Sequence, residues 1–251
     1  MRALKSSLLS VHKNLVHAFS TKENGNSKAP FSQNNLAYHV NDNSQTVYKN
    51  HLNYANYLNY DINRLVHMNQ VHGNKVIIID KQSDLNSIPQ CDALITQETD
   101  IPLMVMVADC IPILVYDPIQ KVIAVIHAGR AGVFNKIIVE TINIMSKNFK
   151  TKARDLNIVL GPSIRSCCYE VGEEVKRQAY KLDYNYAIKS NKSSLTLDLI
   201  SIIQKQLTEL NTDRTKIEIF PYCTSCRTDL FFSYRAENNL TGRFSGLLLL
   251  K

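Results

Sequence analysis

Leu103-Met-Val-Met-Val-Ala-Asp-Cys-Ile-Pro-Ile-Leu-Val-Tyr-Asp-Pro-Ile-Gln-Lys-Val-Ile-Ala-Val-Ile-His-Ala-Gly129 is the stretch that decides the fold. It contains three apolar runs rich in Val and Ile, at 103–108, 111–116 and 121–127. Polar residues do not alternate with apolar ones inside them. Both faces of each run are therefore expected to be buried, as in central strands covered by helices. Asp117-Pro118 is a tight-turn signal, so the second and third runs should form a hairpin. Two residues with ligand chemistry stand at the run ends. Cys110 follows the first run in Ala108-Asp109-Cys110, and His127 closes the third before Ala128-Gly129.

Outward from this centre, further strands are expected at 64–68, 76–80, 93–96, 156–160 and 217–220. The segments 231–235 and 244–250 read as closing strands. The basic, apolar start of the chain reads as a first strand and not a signal peptide. Helical spacing appears at 47–58, with Tyr48, Tyr54, Tyr57 and Tyr60 packing it against neighbours. A second helix should open at 129–132 and run to about 148, with Val133, Ile137, Ile138, Thr141, Ile142 and Met145 as its buried stripe. Two more are expected at 169–181 and 197–210. The polar segment 21–50 reads as a long loop that can border a pocket. With no repeat and no linker, residues 1–251 read as one domain of α/β (α+β) class, with mixed sheets and helices outside.

Composition bounds the function. The chain has 251 residues, ample for a buried core, and no apolar run reaches the roughly 18 residues that span a bilayer. No membrane role and a cytoplasmic location are expected. Net charge is +7, from 29 basic and 22 acidic residues, which favours anionic partners such as phosphate. No run of five like charges and no zinc-finger or aromatic-basic pattern occurs, so no nucleic-acid partner is expected. The six cysteines do not have the spacing of a secreted disulfide framework. Cys223-Thr-Ser-Cys226 is a lone C-x-x-C with no second pair, and the adjacent Cys167 and Cys168 read as two buried thiols.

A third ligand-type residue, His72, lies in Gln70-Val-His-Gly73, just before an apolar run. Two imidazoles and a thiolate make a three-ligand zinc set that leaves a fourth position open, the arrangement of a catalytic site. Cys110 also has a rival reading, as a nucleophile paired with His127 or His72.

Seven motifs then occur in a known order: Gln70-Val-His-Gly73, Cys91-Asp-Ala-Leu-Ile-Thr96, Ala108-Asp-Cys-Ile-Pro112, His127-Ala-Gly129, Leu160-Gly-Pro-Ser163, Cys168-Tyr-Glu-Val-Gly172, and Phe231-Phe-Ser-Tyr-Arg235 through Thr241-Gly-Arg243. Together they resemble the bacterial laccase-domain proteins, also called polyphenol oxidases, purine nucleoside phosphorylases or peptidoglycan editing factors. The resemblance implies a layered α/β/β/α fold and a zinc held by His72, Cys110 and His127. It implies phosphorolysis of adenosine, inosine and methylthioadenosine, with purine nucleoside and phosphate as partners and adenosine deamination as a second activity. Copper-dependent phenol oxidation and cell-wall precursor editing are the alternatives its names carry.

Asp109 and Arg130 are the candidate catalytic residues; His39, Arg165 and Tyr169 are the candidate substrate contacts. His67 and Glu170 are further possible proton donors or orienters. Three positions depart from the family pattern. Gly129-Arg130-Ala131-Gly132 replaces Gly-Trp-Arg-Gly, Asn50-His51 replaces Asn-Arg, and Arg235-Ala236 replaces Arg-Arg. Each loses or moves an arginine, and Arg130 is the candidate replacement for one of them.

Overall fold

The period-two geometry of strands explains how runs with no polar face can still be ordered. In the computed structural model, which describes residues 2–190 and 194–251, the hairpin joins Ile111–Asp117 to Val122–Ala128, with register from Ile111 opposite Ala128 to Asp117 opposite Val122. Ile111, Ile113, Val115, Ala124 and Ile126 face one apolar layer, while Leu114, Tyr116, Ile123 and Val125 face another. Successive side chains point to opposite faces, and both faces are dry.

The hairpin is the centre of a six-stranded sheet in the order Ile217–Ile219, Asn157–Leu160, Ile111–Asp117, Val122–Ala128, Ala93–Thr96, Val76–Ile79. Its two outer pairs are parallel and its inner pairs antiparallel. A five-stranded sheet runs Ala3–Leu4, Leu15–Ser20, Phe244–Leu250, Leu103–Val107, Val66–His67. The two sheets share a core in which Phe19, Leu103, Val105, Val107, Phe244 and Leu248 meet Leu114, Tyr116, Ile123 and Val125. Helices Ile137–Phe149 and Leu199–Glu209 cover the outer face of the larger sheet. Helix Ser44–Leu58 covers the other sheet, where Tyr54, Ala55 and Leu58 pack on Met104, Met106, Leu247 and Leu249. The order of layers is thus α/β/β/α in a single mixed α/β domain. A small third sheet, Glu170–Val171, Leu195–Leu197 and Ile188–Ser190, lies at one side.

Several elements differ from the sequence expectation. The chain start is a strand only at Ala3–Leu4; Ser6 then caps a helical turn, Ser7–Ser10. Met1 lies outside the described residues. The first long helix begins earlier than its apolar spacing, because the Asn43 side chain accepts the Thr46 N–H. Tyr54 and Tyr60 are buried as expected, but Tyr48 and Tyr57 are exposed. The helix expected from 129–132 to 148 is two, Arg130–Phe134 and Ile137–Phe149, broken where Lys136 takes φ 58°. The helix expected at 169–181 starts at Glu173, since Glu170–Val171 pairs as a strand. Segment 231–235 is not a strand. The Glu237 side chain accepts the Ser233 N–H, and the backbone turns there.

Candidate metal centre and cleft

The strand ends bring His72, Cys110 and His127 together. Their ligand atoms all lie within 4.8 Å of one another, close enough for one cation. Cys110 immediately precedes its strand, and His127 stands opposite Pro112 in the hairpin register, so strand pairing alone fixes two of the three. His72 comes from a loop in which it holds φ 58°. That loop is pinned by Asp92: Oδ1 accepts the His72 N–H at 3.0 Å and Oδ2 accepts the Gly73 N–H at 2.7 Å.

Asp92 Oδ1 also lies 2.8 Å from His127 Nδ1. A carboxylate there requires the Nδ1–H tautomer, which leaves Nε2 as the ligand atom. Burial opposes the charge on Asp92, but the bonds from His127, Gly73 and His72 hold its carboxyl below the usual carboxylate range. Burial would raise the Cys110 thiol. The His127 charge and hydrogen bonds from His127 and His72 outweigh that and bring it down to about 6. Burial likewise opposes charge on His127, while Cys110 and Asp92 bring it up to about 9. The sulfur is therefore a ready thiolate. Two imidazoles converge on it, where a nucleophile would need one.

Gly129 completes the fit. A Cβ at this position would stand 3.1 Å from the Cys110 sulfur, 3.1 Å from His72 Cδ2 and 3.5 Å from His127 Cε1. A side chain here would press on the donors, which would have to give by a few tenths of an ångström. The donor set, the oriented tautomer and this cradle all suit a metal ion.

The centre opens on a cleft of about 690 Å³, lined among others by His39, Gln70, Arg130, Tyr169, Arg235 and Arg243. That volume is in the range of small-molecule sites. Three guanidinium groups line it, each braced through Nη1. Arg130 donates to Gln178 Oε1 at 2.7 Å, Arg235 to the Glu170 carbonyl at 3.0 Å, and Arg243 to the Thr241 carbonyl at 2.8 Å. Arg235 also lies 5.3 Å over the Tyr169 ring, and Arg243 5.6 Å over Tyr234. Burial and the Arg243 charge keep His39 neutral over a wider pH range, pushing it below its ordinary value.

The expected site residues divide. His39, Asp109, Arg130 and Tyr169 line the cleft with the three ligands. Asp109 is held at both oxygens, by the Thr224 hydroxyl at 2.6 Å and the Arg235 N–H at 2.7 Å, so it anchors the wall. Arg165 does not line the cleft; its guanidinium donates to the carbonyls of Phe220 and Tyr222. His67 and Glu170 are also outside the lining. His51 is buried, stacks on Tyr38 and bonds the Leu36 carbonyl through Nε2 at 2.7 Å. Sequence reasoning missed Asp92, Gln70, Arg235 and Arg243 as site residues. All four sit inside the recurring motifs, and a carboxylate at the mouth of an otherwise apolar strand was the signal for Asp92.

Comparison with known proteins follows the same lines. The sequence pattern of the family described as "Multi-copper polyphenol oxidoreductase laccase" matches residues 16–251. A purine nucleoside phosphorylase of Corynebacterium glutamicum is 33% identical over 92% of this chain and 93% of its own length. Purine nucleoside phosphorylase YlmD of Bacillus subtilis is 28% identical, over 96% and 90%. The crystal structure of YlmD from Geobacillus stearothermophilus superposes with a TM-score of 0.90 at 26% identity, covering 98% of this chain and 94% of that one.

Proposed function

Since the chain belongs to the multi-copper polyphenol oxidoreductase laccase family, we propose that it is a zinc-dependent purine nucleoside phosphorylase. The observation that carries this reading is a three-donor centre facing a cleft lined by Arg130, Arg235 and Arg243. The relatives named for that activity agree with it. His72, Cys110 and His127 would hold the zinc, which would supply a Lewis acid at the floor of the cleft.

The chain's own residues supply the rest. The guanidinium forks bind phosphate and offset its charge, a geometry suited to oxyanions. In phosphorolysis a phosphate oxygen bonds to ribose C1′ as the C1′–base nitrogen bond breaks, and the departing purine takes a proton. The transition state has a cationic sugar, so an anion held beside C1′ stabilises it. Tyr169 and His39 line the same cleft and are the proposed purine contacts, with the Arg235 guanidinium over the Tyr169 ring. Asp109 is a positioning residue, holding the Arg235 backbone against the Thr224 loop. Adenosine, inosine and methylthioadenosine are the proposed substrates, and adenosine deamination at the same centre is the proposed side activity. We place the reaction in the cytoplasm, where thiolate ligands stay reduced.

Purified protein should release base from inosine and adenosine only when phosphate is added, and Cys110→Ala should abolish release. Base release without phosphate, or full activity in Cys110→Ala, overturns the proposal. Ammonia release from adenosine reads the deaminase activity separately. Two histidines and one cysteine can also hold copper, so metal analysis of protein made without added copper separates the two metals.

A further inference from the structure

Outside the cleft, a second group of ligand-type side chains converges. Cys167 and Cys168 lie in the turn after strand Asn157–Leu160, and Cys223 and Cys226 in the turn after the parallel strand Ile217–Ile219. The sequence supplied a C-x-x-C without a partner. The fold supplies the partner, because the two turns lie side by side. Ser163 bridges to Cys223, and the Thr224 N–H donates to the Ser163 carbonyl at 3.1 Å. Arg165 ties the same pair of turns through the Phe220 and Tyr222 carbonyls. The expectation that Cys167 and Cys168 are buried thiols is thereby corrected: Cys167 is exposed and Cys168 half-buried, and both face the other pair.

All four sulfurs lie within 4.8 Å of one another. Cys226 Sγ is 3.7 Å from Cys167 Sγ and 3.3 Å from Cys168 Sγ. A tetrahedral ion with zinc–sulfur bonds of about 2.3 Å holds its sulfurs about 3.8 Å apart. The bridging sulfides of an iron–sulfur cluster would spread the cysteines well beyond this packing.

We propose that Cys167, Cys168, Cys223 and Cys226 form a second, closed metal site that takes one zinc ion. With four protein ligands it has no open position, so its role is structural. The same turns build the cleft wall: Thr224, between the two cysteines, donates to Asp109, and Arg235 Nη1 lies 3.5 Å from the Cys168 carbonyl. The ion therefore staples the two strand ends that carry Asp109's anchor and Tyr169.

The test is metal stoichiometry on full-length protein, purified without chelator from zinc-supplemented cells and measured by plasma mass spectrometry. Wild type should carry a zinc equivalent that Cys226→Ser loses and His127→Ala keeps. Cobalt(II) put into the His127→Ala protein should give the intense charge-transfer bands of a tetrathiolate site, absent in Cys226→Ser. Should Cys226→Ser fail to fold, alkylation of the wild type answers instead. Exposed Cys167 and Cys226 should resist iodoacetamide until a chelator is added. A single zinc equivalent that is lost with His127, or free alkylation of Cys167 and Cys226 in zinc-loaded protein, or a disulfide among the four, overturns the proposal. None of these readouts uses catalysis, so they stand apart from the fate of the phosphorylase reading.

Discussion

Asp92 does three jobs with two oxygens. It sets the His127 tautomer, pins the His72 N–H and pins the Gly73 N–H. Partners of this kind outside the ligand set typically tune metal affinity by 10–100-fold when removed. Asp92→Ala should therefore weaken binding at the His72, Cys110 and His127 centre by about 10–100-fold, read by competition with a chromogenic chelator. An unchanged affinity would mean the carboxylate serves the loop alone. Gly129→Ala tests the cradle from the opposite side. The added methyl meets the Cys110 sulfur and His72 ring at 3.1 Å, so the donors must spread by a few tenths of an ångström. The fold should survive, by circular dichroism, while metal content at the centre falls. Full occupancy in Gly129→Ala would show that the donors have slack.

The elements were legible to different degrees, for physical reasons. The central strands and their hairpin could be read because burial on both faces leaves an uninterrupted apolar run, and Asp117-Pro118 ends it. Two of the three proposed ligands could be read with them, since Cys110 and His127 flank those runs. Element ends were harder. Helix Ser44–Leu58 starts on a side-chain cap outside its apolar stripe, and Glu170–Val171 is a strand only because Leu195–Leu197 lies beside it. The cysteine group was invisible for the same reason: 167–168 and 223–226 meet only through the parallel pairing of Asn157–Leu160 with Ile217–Ile219. The break at Lys136 is a further case. An exposed lysine with φ 58° is in the left-handed region, which costs an L side chain roughly 1–2 kcal/mol. Glycine relieves that strain but gives back part of it through a looser unfolded chain. Lys136→Gly should raise stability by up to about 1 kcal/mol, a Tm increase of about 2–4 °C. A lower Tm would mean the Lys136 side chain makes contacts that outweigh the strain.

At the scale of the whole molecule, four stacked layers bury polar groups as well as apolar ones, and this sets a pH limit. His51 lies on the buried face of helix Ser44–Leu58 with only 2% of its surface exposed, and its Nδ1 has no hydrogen-bond partner among the described residues. Burial pushes it down to about 4, against the pull of the Leu36 carbonyl. His17, beneath the chain start, is also driven down to about 4 by burial. In the unfolded chain both titrate near 6.5. Between these values the unfolded state binds more protons than the folded one, so stability rises with pH across the window. It is fully present above about pH 6.5 and is lost as pH falls toward about 4, by roughly 3 kcal/mol for each fully coupled group. Native carboxylates lose stability in the same direction at lower pH, and acid also strips metal from thiolates, so the slope of wild type alone is not specific. The difference between wild type and His51→Gln is specific. Glutamine can still donate to the Leu36 carbonyl but has no proton to gain in this range. Urea midpoints measured from pH 7.5 to 4.5 should fall less steeply in His51→Gln than in wild type. Parallel slopes would place the His51 proton uptake outside this window and remove burial of that ring from the account of acid sensitivity.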